Sequence, residues 1–164
     1  MNSRGFSLIE LIIIVSIMAI LLTIATIDFN SWTRKYQTEA QTREIYSDLV
    51  KFRLNAIQRK QRSAVFYGPK SYVFKTYSSP FENVAKGTQV LSKTFNYEIK
   101  KGTDLNVFDI ASDCVEFDSR GITNNQMTII VLPVQYNAGE NCILVSAGRT
   151  NIGRMIDAAT CRPR

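Results

Sequence analysis

The chain has 164 residues, 45% of them hydrophobic and 21% charged, a composition that is neither disordered nor fibrous. Twenty Lys and Arg against fourteen Asp and Glu give a net charge of +6, which suits an acidic or polyanionic partner and is also within the range of ordinary surface charge. There is no histidine, and the three cysteines are far apart. That removes the histidine-dependent nucleophile systems, and no zinc or thioredoxin-like spacing is spelled. Enzymatic chemistry is not indicated, and no cofactor is expected.

The hydrophobic residues are concentrated at the N-terminus. Residues 11–27 are 17 positions without a charge, and residues 6–27 are 22 with only Glu10 interrupting. As a helix, the longer stretch reaches about 33 Å, enough for a bilayer core of roughly 30 Å. No small-residue cleavage pattern follows it, so it reads as a retained single-pass span rather than a secretory signal. The flanking charges point the wrong way for a simple anchor. Only Arg4 precedes the run, whereas Arg34 and Lys35 follow it, so charge alone would place the N-terminus outside. Something more specific must set the topology.

That feature is Arg4-Gly5-Phe6-Ser7-Leu8-Ile9-Glu10, abutting the apolar run. It resembles the processing signal of type IV prepilins and type II secretion pseudopilins. The resemblance implies a cytoplasmic leader, residues 1–5, cut by a prepilin peptidase between Gly5 and Phe6. N-methylation of the new terminal Phe6 would follow. It also implies an inner-membrane protein with a periplasmic C-terminal region, partnered by an assembly platform and by other pilin or pseudopilin subunits. Glu10 can be argued on its own chemistry. A carboxylate within hydrocarbon is costly and therefore a functional candidate. Cleavage would create an amine one helical turn earlier, and a carboxylate here can pair with the N-terminal ammonium of a neighbouring subunit.

Beyond the span, no Gly or Pro occurs between Phe6 and Tyr67, so nothing local breaks a helix. Trp32, Tyr36, Ala40, Ile45, Leu49, Phe52, Ala56 and Ile57 recur at spacings mostly of three and four, predicting one helix over residues 6–61 with an amphipathic second half. Residues 34–62 carry eight basic and three acidic side chains, read as a solvated face or as a basic stripe for acidic neighbours. From residue 63 the texture is β-like. Strands are predicted at 63–67, 71–77, 89–99, 106–110, 114–117, 126–134, 142–146 and 151–156, with turns at 68–70, 101–102, 118–121 and 147–150. The expectation is an α+β, pilin-like chain with a long helix covered by one or two antiparallel sheets. Its segments are 1–5, 6–27, 28–62 and 63–164. The later part resembles H-type pseudopilins and FimT/FimU-like minor pilins through Leu54-Asn55-Ala56-Ile57, the stretch 115–121, and Leu144-Val145-Ser146-Ala147-Gly148-Arg149.

In an oxidising compartment, three thiols allow at most one intramolecular pair. Cys142 opens the last predicted hairpin and Cys161 ends the tail that leaves it, so these two are the expected pair and Cys114 the buried free thiol. Arg149, Arg154, Arg162 and Arg164 make the C-terminal segment basic. Arginine forks suit phosphate, so Arg149 and Arg154, expected near a hairpin tip, are candidates for contact with DNA. A Gly-Arg-x-Arg motif of DNA-binding FimT-like minor pilins is only partly matched, because Asn151 stands where its second arginine would be. Two function classes follow: a filament subunit of a type II secretion system or type IV pilus, or a DNA-binding minor pilin.

Overall fold

A computed structural model describes residues 7–102, 104–134, 139–158 and 160–164, except the side chains of 24–28. The chain divides into two compact units, residues 1–36 and 37–164. Helix α1 spans Leu8–Arg59, as the absence of Gly and Pro predicts. Its first turn is closed by the Glu10 and Leu11 amides, which donate to the Ser7 carbonyl. In the first unit, the large apolar side chains of residues 8–22 are all 43–77% exposed. Trp32 and Tyr36 stack with ring centroids 6.0 Å apart.

The second unit is built on residues 37–59 of α1. Ile45, Leu49, Phe52 and Ala56 are buried, at spacings of four, three and four that place them on one face. This face packs on two antiparallel sheets, β3-β2-β1-β6 and β10-β9-β8-β7-β4-β5. The strands of the first sheet are β1 (Ser63–Gly68), β2 (Ser71–Thr76), β3 (Thr88–Thr94) and β6 (Cys114–Phe117). Those of the second are β4 (Ile99–Lys101), β5 (Asn106–Val107), β7 (Met127–Val131), β8 (Cys142–Val145), β9 (Thr150–Met155) and β10 (Cys161–Pro163). Phe52 lies flat on Phe74 at 4.0 Å between centroids and edge-on to Tyr72 at 5.6 Å. Each such fully buried side chain contributes roughly 1.5–3 kcal/mol. Strand β1 is covered on both faces: Val65 and Tyr67 join the helix-side core, while Ala64 and Phe66 meet Tyr77 and Cys114 in a second cluster.

Three expectations need correction. The apolar stripe does not continue through Ala40 and Ile57, which are exposed; the helix buries Thr38, Gln41 and Thr42 instead. The run 89–99 is two strands in different sheets, not one. Gln41 explains the break: its Nε2 donates to the Tyr97 carbonyl (2.8 Å) and its Oε1 accepts from the Tyr97 amide (2.9 Å). These bonds replace the ladder partners that a continuing strand would need. Finally, the segment taken as a tail contains β10, paired antiparallel with β9.

Candidate functional site

The sequence points to two places, the N-terminal motif and the basic C-terminal segment. Gly5 and Phe6 lie outside the described residues. Glu10 sits in the first turn of α1, where the unpaired amides of a helix start favour a negative charge. It is exposed, as are Leu8, Ile9, Leu11 and Ile12 around it. Glu10 thus stands among the large apolar side chains of residues 8–22, which have no cover within their own unit. Among the described residues no helix is long and apolar enough to cross a membrane; the side chains of 24–27, which belong to the apolar run in the sequence, are not among them.

At the other place, Arg149 occupies the β8–β9 turn, its carbonyl accepting from the Ser146 amide at 2.9 Å. Arg154 is on β9 opposite Arg162 of β10. The two candidate arginines are five positions apart, about 17 Å of extended chain, so they do not share one tip. The Sγ atoms of Cys142 and Cys161 are bonded at 2.03 Å, with Cα atoms 6.3 Å apart, linking β8 to β10 across β9. Cys114 is free and buried; burial, with Glu116 beside it, pushes its thiol up to about 11.

Sequence reasoning did not find Glu140. It accepts from Arg43 Nε at 2.6 Å and from Arg164 Nη1 at 2.9 Å. Burial alone would raise its pKa, but the two guanidiniums outweigh that and hold it below the usual carboxylate range. These groups line a cleft of about 550 Å³ with Glu39, Arg154 and Arg162. Arg43 and Glu140 are 97 residues apart, and no local pattern announces such a pair. Gly153 lets β10 approach: a Cβ there would meet the Arg162 carbonyl oxygen at 2.4 Å.

Residues 1–26 match the family described as the prokaryotic N-terminal methylation motif. Among solved structures, the chain is similar to the type IV minor pilin FimU of Pseudomonas aeruginosa, with a TM-score of 0.55 and 12% identity over 80% of this chain and 96% of that one. The chain has a prepilin-type N-terminus on a pilin fold. At that identity the likeness is one of architecture. No curated protein sequence matches the chain. In this pilin-like chain, the long N-terminal helix and antiparallel sheets are the architecture expected from its residues.

Proposed function

We propose that this chain is a non-enzymatic, minor pilin-like subunit of an envelope-spanning filament, of a type II secretion system or a type IV pilus. The observation that carries the reading is the methylation motif of residues 1–26 heading a helix whose large apolar side chains over residues 8–22 are exposed. Exposed apolar surface on that scale marks a region covered by something outside the chain. Before assembly the cover is the inner membrane, with residues 6–27 spanning it and residues 63–164 in the periplasm. After assembly it is the equivalent helices of neighbouring subunits. Prepilin peptidase removes residues 1–5, and Phe6 is N-methylated.

Glu10 then has a defined task. A carboxylate in hydrocarbon costs about 2.5–3.5 kcal/mol, and pairing with the new ammonium of a neighbour offsets that cost only in the assembled state. Replacing Glu10 by Ala therefore leaves insertion unimpaired and lowers incorporation into filaments, measured by immunoblotting sheared filaments against the membrane fraction. Wild-type incorporation of the variant would refute the pairing. Contact with DNA, the alternative suggested by Arg149 and Arg154, has only the exposure of those residues in its favour, and their separation along β9 weakens it.

A further inference from the structure

The cleft around Glu140 has a feature that the filament reading does not use. Arg154 and Arg162 are direct cross-strand partners, both exposed, with side chains on the same face. Like charges at such positions repel. Among the described residues, neither has a carboxylate partner. Across the cleft, Arg43 and Arg164 are already held by Glu140, which is only 13% exposed. Four guanidiniums thus line one cleft, two fixed by an internal carboxylate and two with none.

We propose that this cleft receives carboxylate side chains from an acidic segment of another protein chain, with Arg154 and Arg162 as its binding residues. Arg43 and Arg164 around Glu140 show the same chemistry already satisfied within the chain. The geometry fits a short acidic segment better than a nucleic acid. A volume of about 550 Å³ takes a few side chains, the scale of a pocket rather than of a track. A nucleic-acid backbone presents a charge every 3.4 Å or so along each strand, whereas Arg164, two residues beyond Arg162, is already held by Glu140, and Arg149 is about 17 Å of extended chain from Arg154. Gly153 sets the close approach of β10 that places Arg162 beside Arg154.

The test uses the full chain in detergent and a blocked hexaglutamate peptide carrying a fluorophore, titrated by anisotropy at about 50 and about 200 mM salt. The proposal predicts saturable binding that weakens severalfold at the higher salt. Arg154→Gln with Arg162→Gln should weaken it at least about tenfold, whereas Arg149→Gln, at the other end of β9, should leave it unchanged. The double variant removes a repulsive pair, so its thermal midpoint should be equal to or above that of the parent, which separates lost binding from lost folding. Absence of saturable binding, equal binding by the double variant, or tighter binding of a short duplex DNA through the same two arginines would each overturn the proposal. None of these results depends on cleavage at Gly5, so the filament reading stands or falls separately.

Discussion

Lys60 ends the long helix in a conformation that lysine tolerates poorly. Its φ is 52°, in the left-handed region, and its amide donates to the Ile57 carbonyl while that of Gln61 donates to Ala56. This is the paired-bond helix stop usually built on glycine. The cost to a side chain is about 1–2 kcal/mol, partly offset because lysine is less free than glycine when unfolded. Lys60→Gly should therefore stabilise the fold by about 0.5–1 kcal/mol in urea titration; a loss of stability would mean that the lysine stem is packed rather than strained. The sequence shows where the helix ends but not this strain, because the usual glycine signal is absent. Gln41 is the opposite case. It is off the predicted apolar stripe, yet it is buried and bonded through both side-chain atoms to the Tyr97 backbone.

At the scale of elements, local pattern was a good guide wherever one face of a strand or helix is buried by the core. Strands 63–67, 114–117 and 142–146 are legible because short apolar runs lie beside turn signals; Gly121, at positive φ, marks the turn after 114–117. The reading failed where a partner distant in sequence decides the outcome. The run 89–99 alternates well enough for one strand, and only the bonds from Gln41 break it. Strand β10 has three residues, too short for periodicity to register, and it is held by β9 and by the bond from Cys161 to Cys142. Closing a loop with a sequence separation of 19 contributes about 3 kcal/mol in the chain-entropy model. Replacing both cysteines by serine should lower unfolding stability by roughly that amount and increase amide exchange in β10 ahead of β8. Unchanged stability and exchange would mean that β-pairing alone holds the strand.

For the globular unit as a whole, acid sensitivity follows from three carboxylates. Burial would raise Asp113, Asp118 and Glu140, but other contacts prevail and hold all three low. For Asp113 these are the Asp109 amide and Lys101; for Asp118, the amides of Ile122 and Arg120 and the Arg120 side chain; for Glu140, Arg43 and Arg164. A group that binds its proton more weakly when folded stabilises the fold fully above its ordinary value, 3.8 for Asp and 4.5 for Glu. That stabilisation is lost as pH falls through the lower folded value. The urea midpoint should be level from about pH 7 to about pH 5 and decline below about 4.5, less steeply in Asp118→Asn; a midpoint that rises on acidification would contradict these assignments.

The central claim, that the chain is a prepilin matured into a filament subunit, concerns a bond between two residues outside the described structure. It is tested most directly by mass spectrometry of the N-terminal peptide of the protein isolated from its native host. The account predicts a chain of 159 residues, the 164 of the precursor less the five-residue leader, beginning at an N-methylated Phe6. A protein that keeps Met1, or one cut elsewhere than after Gly5, would contradict it.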